Sequence, residues 1–546
     1  MKRRYIAWLI ALALLLSACS TLPRSGDVHA VKPSAPADRE IVLNAQPPSE
    51  DATAEEIVQG FLLASAAGLD DDFAVARQFL SPAAASEWNP SAEVRVYPDS
   101  QNIQRTRTET GAVRVTVGAV GTLSDAGVFT ESPSDAVVSS DFSLARNADG
   151  QWRIVSLSDG IFLSEHLFGQ MYTAAPLYFL SADSSSLVAD LHWYPRRVFP
   201  TKAVQALLSG PSEWLEPGVS SAFPAGTMLN NAVTVSDGVA HVDLTSEALL
   251  AEETQRAYFM AQLRRTLTSF SSIKEVSVTV EGTQLTIDTA ADLPVYPFGS
   301  FSLSVISDGV PSQVADNTAT PVISSPDIVD LGLTDLAVGY QDTASRYAAL
   351  ANGRTGLFWL DAGSGKWSVV TQGTQLIRPS FDSFGWVTTG EVDNNGQLSS
   401  YAPQNEDAVT MSVPWRQGAH IRDIAVSREG SRIVVVTEVG GNAEMYVAPI
   451  ARSADGRPLE IGDPIRIGQR LSGVVDVSWI TPTSVVALGT STAGSDVGLF
   501  EVVIGGPMDT VGSPPAQAKS LTSGRDEQST VVLTGLDVAL GISGRA

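Results

Sequence analysis

Sulfur chemistry is all but missing from this chain of 546 residues, whose one cysteine is Cys19. A lone thiol has no disulfide partner within the chain, so an exported protein of this composition must be stabilised by burial alone. Histidine is scarce too. His29, His166, His192, His241 and His420 stand singly, and none pairs at the spacing of a zinc-binding helix. Positive charge is the third shortage: 35 Lys and Arg face 60 Asp and Glu, for a net charge of −25. That balance excludes nucleic acid, whose phosphates demand cations. It also argues against adsorption to anionic lipid, which takes polybasic segments. No metal or cofactor is expected. What the chain does have is apolar content, 44 % of its residues, ample for several packed cores.

The one long apolar run lies at the start. Lys2, Arg3 and Arg4 precede an apolar stretch over residues 5–16, followed by Leu16-Ser17-Ala18-Cys19. A basic start, a dozen apolar residues and a small-residue cleavage site make a signal peptide over 1–18. The run is shorter than the ~20 residues a spanning helix needs. Cys19 at the cleavage point makes this a lipobox, with the thiol carrying a diacylglyceryl group and the freed amine an acyl chain. The expectation is a bacterial lipoprotein held by Cys19 on the extracytoplasmic face of the cell membrane. Residues 19–50, with Pro23, Pro33, Pro36, Pro47 and Pro48 among Ser and Ala, read as a semi-stiff tether.

Thr53 and Glu56 form a capping box, and Ile57, Phe61 and Ala64 follow at helical spacing up to Gly68. Asp70, Asp71 and Asp72 read as charges at the start of a second helix stopped by Pro82. Strands are expected over 93–97, 112–117, 128–130, 137–145 and 152–157, giving an α+β domain over 51–165. A second α+β domain spans 170–290 in the order β-β-α-β-β-α-β-β. It has a hairpin turn at Asp237-Gly238 and a helix capped by Ser246 that buries Leu249, Met260, Leu263, Leu267 and Phe270. From 295 to 546 short strands repeat. Asp335-Leu336-Ala337-Val338, Asp423-Ile424-Ala425-Val426 and Asp476-Val477-Ser478-Trp479 share a start, and Arg378-Pro379-Ser380-Phe381-Asp382 is a degraded copy. Repeats near 44 residues, with an insertion between Asp423 and Asp476, read as five or six propeller blades, with residues 531–540 returning to close the ring.

Residues 177–180, Arg196-Arg197, the Leu-Leu-Ser-Gly-Pro string at 207–211 and the Phe-Pro-Ala-Gly-Thr string at 223–227 resemble a GerMN domain. With the lipobox, tether and β region, the whole chain resembles the LpqB family of envelope lipoproteins. The resemblance implies a multidomain protein: an α+β N-terminal domain, an α+β GerMN domain and an all-β C-terminal propeller. It also implies a partner, the extracytoplasmic domain of the MtrB sensor histidine kinase of the MtrA–MtrB system, and a bearing on signalling, division and envelope homeostasis.

No reaction centre is legible, and the chain is read as a non-enzyme. Gly363-Ser364-Gly365-Lys366 lacks the spacing of a phosphate loop, and Asp393-Asn394-Asn395-Gly396 lacks the later ligands of a calcium loop, so both read as turns. The rival classes are a hydrolase of wall glycan, which needs two carboxylates roughly 5–10 Å apart in a cleft, and a lipoprotein binding a wall fragment or small solute. For partner binding the expected stretch is Trp193, Tyr194, Arg196 and Arg197, two aromatics and two cations on an acidic chain.

Overall fold

The computed structural model describes residues 45–543, apart from 70, 287–290, 296–302, 316–317, 324–325, 341–345, 403–406, 414, 416–417, 493, 495, 515–517, 524–528 and 535–537. The expected signal peptide, Cys19, His29 and most of the expected tether lie outside the described residues.

The first domain opens on the helix Ala54–Ala67. Thr53 accepts from the Glu56 backbone N–H while the Glu56 carboxylate accepts from Thr53, the full capping box. Gly68 keeps right-handed backbone angles, so it does not end the helix by a left-handed turn. Its need is for space: a Cβ there would come within 2.2 Å of the Phe73 ring. The second helix is only Ala74–Arg77, with Asp71 accepting from the Val75 N–H. Pro82 does not stop it. Ser81 caps a further helix, Pro82–Glu87, in which proline takes the first position, where no N–H is needed. Two four-stranded sheets follow. In one, Glu93–Tyr97 runs parallel to Ile161–Ser164 and antiparallel to Gly121–Ser124. In the other, Gln104–Arg107, Val113–Gly118, Val137–Arg146 and Trp152–Ser156 pair antiparallel in that order, the chain visiting the first sheet between the second and third. Ile57, Phe61, Trp88, Val113, Phe142 and Ile154 share the core, with Phe61 and Trp88 edge to face at 5.1 Å.

The second domain is built on a long antiparallel hairpin, Tyr172–Leu180 against Leu187–Pro195. The helices Phe199–Ser209 and Glu253–Thr268 pack on it. Gln262, fully buried in the second helix, donates to the Tyr178 carbonyl and accepts from the Ala222 N–H, which satisfies the backbone where the hairpin meets the helix. The second sheet pairs Val239–Leu244 in parallel with Glu275–Val280, and Asp237 and Gly238, both at positive φ, form its hairpin turn. Ser246 does not cap the long helix. Ser246–Leu250 is a separate 3-10 turn, and Leu249 is left half exposed.

The C-terminal region forms six sheets in sequence order, here blades 1 to 6, over 303–321, 334–372, 380–412, 420–467, 471–512 and 520–543. The first strand of each blade meets the first strand of the next, the radial arrangement of a propeller. Blade 4 carries the expected insertion as a fifth strand: Pro458–Ile461 and Ile465–Ile467 both pair with Asn442–Arg452, at its two ends. Among the described residues the tail stays in blade 6 rather than returning to blade 1. Ser529–Thr534 and Val538–Ser543 pair with each other and with Ser520–Ser523 inside blade 6.

Candidate functional site

The shared Asp starts have a physical role that the repeat alone does not disclose. Asp423 of blade 4 accepts from the backbone N–H of Val477 in blade 5, at 3.2 Å. Asp476 of blade 5 accepts from Leu521 in blade 6, at 2.8 Å. Asp423 and Asp476 therefore each fasten their blade to the next, whereas Asp335 of blade 2 accepts from Arg354 of its own blade. In blade 3 the corresponding residue is Arg378, and its guanidinium lies 3.0 Å from the Asp423 carboxylate and 2.5 Å from that of Asp476. Burial pushes the Asp423 carboxyl up to about 7, against the pull of Arg378 and with the push of Asp476. These two buried acids are no free glycosidase pair, since a guanidinium sits between them. A second buried pair, Arg452 with Asp382 at 2.5 Å, ties blade 4 to blade 3 beneath the Phe384 ring.

The three domains meet along one strand, Leu187–Pro195. The carbonyl of Ala189 accepts from Arg432, a fully buried guanidinium of blade 4 that also pairs with Glu429 and lies over the Trp479 ring. His192 Nδ1 faces the Ala126 carbonyl of the first domain at 2.9 Å. The Trp193 N–H donates to Gly127 of the first domain, and its indole N–H donates to Gly505 of blade 5, both at 2.8 Å. The Tyr194 hydroxyl donates to Ala126 at 3.1 Å. The strand thus bonds to the first domain through His192, Trp193 and Tyr194 and to the propeller through Ala189 and Trp193, joining two domains through a third.

The seams run close. A Cβ at Gly505 would stand 3.0 Å from the Leu191 carbonyl, and one at Gly218 would stand 2.7 Å from that of Ser431. The loop after the blade 4 insertion makes a further contact. Gln469, just beyond it, donates its backbone N–H to Glu131 Oε2 and its side chain to the Glu131 carbonyl. Glu131 Oε1 is buried without a hydrogen-bond partner, and burial raises this carboxyl to about 7. Beside it lies a cavity of about 270 Å³ with walls from all three domains, among them Phe129, Asp190, Trp214, Arg466 and Ile504.

Three residues here imitate a hydrolase. Ser212 Oγ, His192 and Asp190 lie within 3.3 Å of one another, all buried or half-buried. A relay needs the serine on one ring nitrogen and the carboxylate on the other. Here both meet Nε2, while Nδ1 is spent on Ala126. Burial works against the His192 cation, but the bond and charge of Asp190 outweigh it and raise its pKa. With a carbonyl at one nitrogen and a carboxylate at the other, imidazolium is the form that satisfies both.

Of the stretch expected to bind a partner, the aromatics face inward. Trp193 packs against Phe168 at 5.2 Å, and Tyr194 is buried. Arg196 and Arg197 stay exposed, Arg196 donating to the Gln170 carbonyl at the end of the helix Glu165–Met171 and Arg197 reaching Leu69. Hydrogen bonding between domains has no signature in sequence, so the stretch read as a surface hot spot is largely a joint. The turns behave as expected: Asp361 accepts from Gly363 and Ser364, and Asn395 and Gly396 take positive φ between two blade 3 strands. Among the described residues no three His, Cys, Asp or Glu side chains gather as a metal site, and His166, His241 and His420 bond singly to Gln170, Ser236 and Asp393.

Comparison with known proteins follows the same three-part division. Residues 47–169 match the profile "Lipoprotein LpqB, N-terminal domain", 176–286 "Sporulation and spore germination" and 309–539 "Lipoprotein LpqB beta-propeller domain". A lipoprotein LpqB of Cutibacterium acnes is 26 % identical over 92 % of this chain and 88 % of its own length. That of Streptomyces coelicolor is 25 % identical over 98 % and 94 %, and that of Mycobacterium tuberculosis 24 % over 89 % and 86 %. The first GerMN domain of the Bacillus subtilis sporulation protein GerM is similar to 22 % of this chain and 92 % of its own, at 26 % identity and a TM-score of 0.19. Three profiles in order, and relatives matched nearly end to end, place this chain in the LpqB family of lipoproteins.

Proposed function

We propose that this protein is a non-enzymatic lipoprotein, anchored through Cys19 on the extracytoplasmic face of the cell membrane. There it binds the extracytoplasmic domain of a sensor histidine kinase of the MtrA–MtrB type and so bears on envelope homeostasis. The observation that carries the reading is the use of the polar clusters. Asp190, His192, Trp193, Arg378 and Arg432 spend their bonding capacity on holding domains and blades in fixed relation. Such a body suits the presentation of a surface. The lipobox and the relatives' name support the anchor.

The test is a kinase assay in membranes. Adding the lipidated chain to vesicles holding the kinase should change the phosphorylation of its response regulator, and Cys19→Ala chain at the same concentration should act more weakly. No change with either form would reject the reading. One observation favours a second reading: the three-domain cavity is large enough for a small solute. Binding of a wall fragment there, lost on Trp214→Ala, would make this a ligand-binding lipoprotein.

A further inference from the structure

The second domain leaves an apolar edge uncovered. Ser246–Leu250 is a 3-10 turn, whose three-residue period buries Ala248 completely and turns its neighbours outward. Leu249 is 52 % and Leu250 75 % exposed, the latter the highest figure among the large apolar side chains described. Met228, 63 % exposed, stands at the root of the same turn: its carbonyl accepts from the Thr245 N–H and its N–H donates to the Thr245 hydroxyl. Single exposed apolar side chains are ordinary, but three on one turn and its supporting loop form a patch.

The charge along the turn is mostly negative, its one cation, Arg256, being half-buried and donating to the Ala251 carbonyl at 2.8 Å. Glu247 belongs to the turn, and Glu252 and Glu253, both exposed, follow it. Between Lys202 and Arg256 the chain has no Lys or Arg at all. Anionic headgroups would be repelled from such a rim, whereas a cationic protein segment would be drawn to it.

We infer that Met228, Leu249 and Leu250, with their acidic rim, form a docking surface for a protein segment that carries apolar anchors flanked by Lys or Arg. The inference rests on the reading that this protein works through a protein partner, and it names the surface used.

The test is crosslinking in living cells with the full lipidated chain. A photoreactive residue replaces Leu250 in one strain and Val439, an exposed apolar residue of the propeller, in another. The expected result is a protein adduct from position 250 only, with the crosslink mapping to an apolar segment flanked by Lys or Arg. Glu252→Lys with Glu253→Lys should cut that adduct at least tenfold, while the purified variant keeps the parent's melting temperature. Lipid adducts at 250, no adduct there, or an adduct indifferent to the charge reversal would each overturn the surface. A sensor kinase captured at 439 and not at 250 would overturn the surface and leave the kinase reading standing. A cationic segment of some other protein at 250 would do the reverse.

Discussion

Arg378 donates to the Asp423 carboxylate at 3.0 Å from the place in blade 3 that Asp423 itself holds in blade 4. One cation at the repeated position thus answers the acids of the two following blades. Arg378→Met leaves Asp423 and Asp476 facing each other, and breaking a buried pair in this way costs about 3–5 kcal/mol. The melting temperature of the propeller should fall by several degrees in neutral buffer. The loss should shrink on acidification, as one of the two carboxyls takes a proton. An unchanged melting temperature would show the pairing to be dispensable.

Glu131 gives the stability a pH dependence. Its folded pKa, about 7, stands above the ordinary 4.5, so the folded chain holds the proton more tightly than the unfolded one. The contribution is complete below about 4.5 and is lost as pH rises through about 7. Chemical denaturation of Glu131→Gln, followed between pH 4 and 8, should have a flatter profile than the parent over this window. Identical slopes would place the titration elsewhere.

The Asp190–His192 pair acts within opposite limits. Its two carboxylate-side bonds and the His192 charge hold Asp190 low against the cost of burial, so that part of the stability is lost as pH falls through the lowered pKa. His192 is raised, so its part is complete below its ordinary 6.5 and fades as pH climbs through the raised value. Histidine NMR should find His192 charged at pH 6.5, where an unperturbed imidazole is about half titrated. A neutral His192 at that pH would contradict the double hydrogen bonding.

Trp193→Ala removes the indole bond to Gly505 and the packing on Phe168. Truncating a fully buried aromatic costs about 3–5 kcal/mol, and this half-buried one should cost less. Amide exchange should quicken at the seam strands of both flanking domains, beyond the mutated strand. Exchange that quickens only around residue 193 would mean the joint does not couple the domains.

Most of the architecture was legible in periodicity. The capping box at Thr53, the Asp237-Gly238 hairpin and the repeated Asp starts of blades 4 and 5 announce themselves because the local pattern dictates them. The joint was not legible. Trp193 and Tyr194 have the composition of a hot spot whether their acceptors belong to a partner or to Gly505 and Ala126 of the same chain. Leu249 misled for another reason, since a 3-10 turn followed by a helix reads in sequence like one long helix. The degraded repeat at Arg378 looked like decay because the charge that answers it lies 45 and 98 residues away.

The glycines at the seams bear on how such a sequence can drift. Gly505 and Gly218 border backbone carbonyls of another domain so closely that a single methyl group would act as a wedge. Gly505 also takes a positive φ, which favours glycine for local reasons, whereas the nearest obstacles to a side chain at Gly218 all belong to blade 4. Recombination that exchanged this propeller for a distant cousin's would have to bring matching bare backbone at these two points. Otherwise the hybrid would fold domain by domain and fail to close.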